Sequence, residues 1–367
     1  MKRVLFLTNY PSPYRVRFFD ELGKAVDLTV LFADRIEDKK HRNANWYEPS
    51  AGSFQSVQLK KSFSVKTNSL CMDVIGWLKK GFDHIVICGY SNPTAILAMT
   101  WLRLQGIPFW MEVDGGLIRQ ERKMTYMIKK TLVSLASGWL SSGPSTTDYL
   151  VHYGAKREKV REYPFSSLSE EDMPSDVPSV EEKLALRKEL GIESEKMILS
   201  IGQFIHRKGY DILLKSAAQL KKGLDIYIVG GEPTEEYLQL CRELGLQNVH
   251  FEGFMKKEKL LNYYRATDLF VLPTREDIWG LVINEAMSYG LPVITTDRCV
   301  AGLDLVEDGV NGYIVPVGDD KALAEKINAL FEENWGEMGE KSLEKIRPYT
   351  IETMAKCHHE IFETVKL

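Results

Sequence analysis

Short apolar runs alternate with amphipathic stretches along the whole chain. Residues 4–8, 28–32, 84–88, 108–113 and 138–142 form the first set of apolar runs, which predicts strands. A second set lies at 197–202, 224–229, 249–251, 269–272, 292–295 and 312–315. Between them, apolar spacing predicts helices over 17–24, 92–105, 210–220, 235–243 and 281–289. Strands that alternate with helices in this way build doubly wound parallel sheets. The pattern breaks once, at residues 166–180, where SSLSEEDMPSDVPSV is rich in Ser, Pro and acid. That composition predicts a linker, followed by a helix over 181–190 that ends at Gly191. The expected organisation is therefore an α/β domain over 1–165, the linker, and a second α/β domain over 181–345. Residues 346–367 carry a capped amphipathic helix after Pro348.

The length of 367 residues suits two domains with a full core each. A composition of 44% hydrophobic and 27% charged residues excludes disordered, collagenous and disulfide-scaffold classes. The net charge of −4 hides a split. Residues 1–165 hold 24 Lys and Arg against 15 Asp and Glu, a net of +9, while 166–367 hold 23 against 36, a net of −13. A basic half joined to an acidic half bears on partners more than the total does. The N-terminus MKRVLFLTNY has too short an apolar run for a signal peptide and reads as a first strand, and no run approaches the ~20 apolar residues of a membrane span. Five scattered cysteines without a CxxC pair suit idle thiols in a reducing cytosol, so the expected location is cytoplasmic. His358 and His359 are expected to be a solvated surface pair.

The most informative segment is PTREDIWGLVINEAMSYGLPVI at 273–294. A strand ends there, and a polar loop carries Glu276 and Asp277. Trp279 and Gly280 open a helix, and Glu285 lies on it. A helix start presents unpaired N–H groups and a positive dipole end, which hold a diphosphate without a metal. Gly280 would let the phosphates approach closely, with Ile278 and Leu281 beside it. Glu285 suits the vicinal hydroxyls of a ribose, and Glu276 or Asp277 those of a sugar ring. A second segment, ILSIGQFIHRKGYDILL at 198–214, runs a strand into Gly202, then a basic loop with Arg207 and Lys208, then a helix. Fixed cations there would stabilise a leaving diphosphate. YIVGGEP at 227–233 places Gly230 at a strand end, and VHFEGFM at 249–255 ends on Gly253 and Phe254. Phe254 is open to two readings, a base contact or simple core. There is no G-x-G-x-x-G after the first strand, no G-x-x-x-x-G-K-[ST] and no D-x-D at a strand end.

The pattern D/E-x-x-W-G…E-A-M-x-x-G-x-P-V-I resembles the donor-site signature of retaining glycosyltransferases of family 4. The resemblance implies the GT-B fold, two Rossmann-like domains facing a cleft with the C-terminal helix of 346–367 crossing back to the first domain, and a nucleotide-diphosphate sugar as donor with no metal or other cofactor. It implies that Glu285 binds the ribose and that an earlier carboxylate contacts the transferred sugar. Asp277 stands at the family's E-x7-E spacing and Glu276 one residue earlier; both are carried, with Glu276 preferred. The second segment is similar to G-R-x-x-x-x-K-G, in which Lys208 matches the Lys and Gln203 stands where the Arg belongs, so Arg207 is expected to supply that charge. Turns like those at Gly230 and Gly253 pass the donor and its base in the family. In the first half, FWMEVDGGLIR at 109–119 puts Asp114 and Gly115 where the family's loop approaches the sugar. The loop NYPSPYRVR at 9–17 offers Arg15 and Arg17 to an anionic acceptor.

The expected function is transfer of a sugar from a UDP- or GDP-sugar to a glycan or lipid-phosphate-linked acceptor, in cell-surface polysaccharide or glycolipid synthesis. A nucleotide-sugar epimerase of the same fold, or a non-catalytic sugar-nucleotide or polysaccharide binder, is the alternative. The basic stretch RQERKMTYMIKK at 119–130 interleaves Arg119, Arg122, Lys123, Lys129 and Lys130 with apolar residues. It suits peripheral contact with an anionic membrane on the cytoplasmic face, although a surface helix with its apolar side in the core fits the same pattern. Nothing in the sequence points to nucleic acid.

Overall fold

A computed structural model describes residues 1–34, 52–65, 68–332 and 335–367. The chain divides into two compact units, 1–170 with 349–367, and 171–348.

The first unit holds β1 (Arg3–Thr8), β2 (Asp27–Phe32), β3 (Gln55–Gln58), β4 (Phe63–Val65), β5 (Asn68–Leu70), β6 (His84–Cys88), β7 (Trp110–Val113), β8 (Gly138–Ser141) and β9 (Val160–Glu162). Seven of them form one sheet in the order β3-β2-β1-β6-β7-β8-β9, and β4 and β5 pair as a separate hairpin. All neighbours in the large sheet run parallel, as with Val4 opposite Leu28 and His84. Val4 to Leu7 are essentially inaccessible, because helices cover both faces of such a sheet.

The second unit holds β10 (Lys196–Ile201), β11 (Leu224–Val229), β12 (Val249–Glu252), β13 (Leu269–Leu272), β14 (Val293–Thr296) and β15 (Gly312–Val315). These form a parallel sheet in the order β12-β11-β10-β13-β14-β15. Its core gathers Ile198, Ile226, Ile228, Leu269, Val271 and Ile294 from the strands with Leu213, Leu214 and Ile327 from helices.

Local chemistry sets the helix starts. Pro13, Pro93 and Pro144 sit in first turns, where a missing N–H costs nothing. Asn92, Ser179, Asp319 and Thr350 cap with their side chains, and Ser179 forms a full capping box with Glu182. The first helix spans Pro13–Gly23, so it begins four residues before the expected 17–24. Arg15 and Arg17 therefore lie on a helix and not on a loop. The terminal helix Ile351–Thr364 packs on that same first helix within the first unit. Its His358 is fully buried, which corrects the expected surface pair.

Candidate functional site

In the second sheet the chain leaves β10 on one side toward β11 and reaches β13 on the other. Open α/β sheets bind ligands at the carboxyl ends of strands where the order reverses in this way. The two loops flanking that point are 202–209 and 273–280, the segments singled out by sequence. Several bonds lace them together. The amide of Arg275 and the hydroxyl of Thr274 both donate to the Arg207 carbonyl, at 2.8 and 3.0 Å. The Arg275 guanidinium donates to the His206 carbonyl at 2.9 Å and grips the Asp211 carboxylate bidentately at 2.7 and 2.6 Å. A bidentate Arg–carboxylate pair fixes geometry as well as charge.

This lacing puts the expected groups side by side. The Lys208 ammonium lies 2.6 Å from Asp277, and both are largely enclosed. Arg207 is half-exposed; it donates to the Glu276 carbonyl at 2.7 Å and stands 3.5 Å from Asp277. Asp277, at the E-x7-E spacing, is thus the carboxylate that faces both cations, whereas Glu276 meets Arg207 through its main chain. The helix Leu281–Ser288 begins here behind Gly280 and has no side-chain cap. Gly280 sits at φ +106°, and a Cβ there would lie 2.8 Å from the Cys299 sulfur. Burial, with Asp277 nearby, pushes the Cys299 thiol up to about 12.

Glu285, one turn into the helix, accepts a hydrogen bond from the Tyr264 hydroxyl at 2.8 Å. Tyr264 is buried and stacked on Tyr289 with ring centroids 5.3 Å apart. Burial, reinforced by Glu285, holds the Tyr264 hydroxyl well above its usual range, so it stays a donor. Tyr264, Thr274, Arg275 and Asp211 escaped the sequence reading. Arg275 and Asp211 stood inside the quoted motifs, but only the fold reveals their pairing. Tyr264 lies on the helix Lys257–Ala266, which no expectation covered.

The other expected residues fall into two groups. Gly202 and Gly230 abut, and a Cβ on Gly230 would lie 1.8 Å from the Gly202 carbonyl oxygen. Phe254 is 77% exposed, which removes its reading as core, and it covers Gly231 beside the Gly253 turn. Ile278 is exposed and Leu281 half-buried. Trp279 is buried, with its indole donating to Asn284 at 2.9 Å, so its ring belongs to the scaffold.

Arg15, Asp114 and Gly115 lie in the first unit. Arg15 is buried and holds both oxygens of buried Glu112, so it is not a surface cation awaiting an acceptor. Glu112 also meets the His358 ring at 3.3 Å and the Cys88 thiol at 2.9 Å. Burial opposes the charged form of Glu112, but Arg15 and His358 outweigh it and hold its carboxyl below the usual range. Asp114, a third exposed, accepts from Tyr163 at 3.1 Å and stands 3.8 Å from Arg15. Desolvation pushes its carboxyl up against the pull of Arg15. Among the described residues no His, Cys, Asp and Glu cluster has the makings of a metal site.

Comparison with known proteins places these features. Residues 182–353 match the family described as glycosyl transferases group 1. An uncharacterized glycosyltransferase of Methanocaldococcus jannaschii is 30% identical over 164 residues, which are 43% of this chain. The chain spans only 41% of that relative's length. The O-antigen chain mannosyltransferase C of Escherichia coli is 24% identical over 83% of this chain and 82% of its own length. Among solved structures, Anabaena HepE in complex with UDP and glucose superposes with a TM-score of 0.76 at 17% identity, covering 100% of both chains. That likeness establishes the GT-B fold. The stretch that matches the glycosyl transferases group 1 model, 182–353, is the part that carries the laced loops and Glu285.

Proposed function

We propose that the protein is a retaining, metal-independent glycosyltransferase of family 4. It moves a sugar from a UDP- or GDP-sugar to a glycan or lipid-phosphate-linked acceptor in cell-surface polysaccharide or glycolipid synthesis. The observation that carries this reading is the lacing of two loops at the switch point, which brings Arg207, Lys208 and Asp277 to one uncapped helix end. In this reading the helix end and the two cations hold the diphosphate, and they strengthen as negative charge builds on the leaving group. Those charges are supplied by the chain, so the reaction asks for no metal. Glu285, steadied by Tyr264, takes the ribose hydroxyls. Asp277 takes the sugar, with Glu276 beside it. Asp114 and Gly115 take the role the resemblance gives their loop, the approach to the transferred sugar. The structural likeness to a UDP-bound protein supports a nucleotide-sugar donor. The work site is the cytoplasmic face of a membrane, where such acceptors are anchored.

A thermal-shift panel of UDP, GDP and ADP with their sugars tests this directly, because a ligand that binds the native state raises Tm. One nucleotide should stand out. Glu285→Ala should lower its affinity roughly ten- to a hundredfold, the loss of one charge-assisted hydrogen bond or more, and abolish turnover. An unchanged shift in that variant would sink the assignment.

A further inference from the structure

The helix Lys123–Val133 turns its apolar stripe outward. Met124, Met127 and Ile128 are 75%, 50% and 55% exposed. With Thr131 they stand at spacings of three and four residues, on one face. With Leu132 they line a shallow depression of about 280 Å³. The opposite side is the one that packs. Val133 is buried, and Tyr126 lies against Tyr153 with centroids 5.6 Å apart. Lys129 also turns inward, where it meets Glu121 at 2.7 Å and donates to the Tyr153 hydroxyl at 3.3 Å. An ordinary surface helix does the reverse and buries its stripe. A clustered exposed apolar patch marks an interaction site.

The rim of the stripe identifies the occupant. Arg122, Lys123 and Lys130 are exposed beside it, in the half of the chain with a net of +9. Just before it, Ile118 is 44% exposed and Arg119 is exposed. Two copies of so basic a face would repel each other, whereas anionic headgroups would attract it. No described helix is long and apolar enough to cross a membrane, so contact would be made at the surface. We propose that this helix docks on an anionic phospholipid surface. Met124, Met127 and Ile128 enter the boundary between headgroups and acyl chains, and Arg122, Lys123 and Lys130 meet the lipid phosphates. The proposal deepens the membrane part of the reading above and rests on it alone, not on the transfer chemistry.

Co-sedimentation with vesicles tests it without any sugar substrate. The full chain should pellet with phosphatidylcholine–phosphatidylglycerol vesicles, far less with phosphatidylcholine alone, and less as salt rises. Lys123→Glu with Lys130→Glu should lower partitioning roughly twentyfold or more, about fivefold per cation. Met124→Ser with Met127→Ser and Ile128→Ser should lower it about tenfold or more. These positions are exposed, so Tm and the nucleotide-induced thermal shift should be unchanged, which keeps this test separate from that of the donor site. Wild-type protein that stays in the supernatant, or variants that pellet as it does, would overturn the proposal. So would a dimer in sedimentation velocity that the serine variant abolishes.

Discussion

Gly280 is constrained twice by the fold itself. Its φ of +106° suits glycine, and the Cys299 sulfur occupies the space of a side chain. The sequence reading assigned this glycine to clearance for a phosphate. The structure adds a reason that no local pattern carries, because Cys299 arrives from beyond the next strand and donates to the Trp279 carbonyl at 3.1 Å. Gly280→Ala should therefore cost stability by about 1–3 kcal/mol, through strain and the clash with sulfur. It should also weaken nucleotide binding, because the displaced residue precedes the helix end proposed to hold the phosphates. Urea denaturation and a nucleotide titration on the same sample check both. Full stability in the alanine variant would contradict this account.

At the scale of elements, the helix Val180–Leu190 shows what a sequence displays and what it withholds. Its ends were legible, because Ser179 and Glu182 make a capping box and Gly191 at φ +72° stops it. Its buried side was not. Lys183 and Arg187 turn inward to Asp268, which precedes β13, and Arg187 also donates to the carbonyls of Ala266 and Glu195 at 2.8 and 2.7 Å. Charged residues of a polar helix read as solvated until a distant carboxylate claims them. The two site loops follow the same rule, since their residue types were visible and the Arg275–Asp211 lacing was not. Burial lowers the Lys183 amine to about 8, against the opposing pull of Asp268. The unfolded amine titrates near ~10.4. The charged form therefore costs stability below about pH 8, and that cost fades as pH climbs through the window between the two values. Wild type should gain stability relative to Lys183→Met between about pH 7 and pH 9.5. Denaturant midpoints of the pair at both values measure it, and a constant difference would contradict the shifted titration.

Over the whole molecule, the last stretch of chain completes the unit in which the chain begins. The amphipathic pattern of 351–364 was visible in the sequence, and the family resemblance directed it to the first domain, but the individual side chains that receive it were not legible. His358 shows why, since a histidine next to His359 reads as polar surface until Glu112, Phe18 and the Tyr163 ring close around it. Further ties bind the segment to the first unit. The Ile351 amide donates to the Leu168 carbonyl at 2.7 Å, the Glu170 amide to Glu352 at 2.9 Å, and His84 meets the Phe362 carbonyl at 2.9 Å. Ile351, Met354, Ile361 and Phe362 are all buried. At about 2 kcal/mol each, an upper figure, they contribute roughly 8 kcal/mol, which rivals the entire stability of a typical domain. Ending the chain at Pro348 would remove that term, uncover Phe6 and Phe18, and leave the buried Glu112 without His358. Residues 1–170 should then unfold or be cut rapidly in limited proteolysis. Residues 171–348, a compact unit of their own, should persist as a resistant fragment that still shifts its Tm with the nucleotide. A truncated chain whose first 170 residues resist protease as well as the full protein would show that the returning helix is an accessory and not a part of that core.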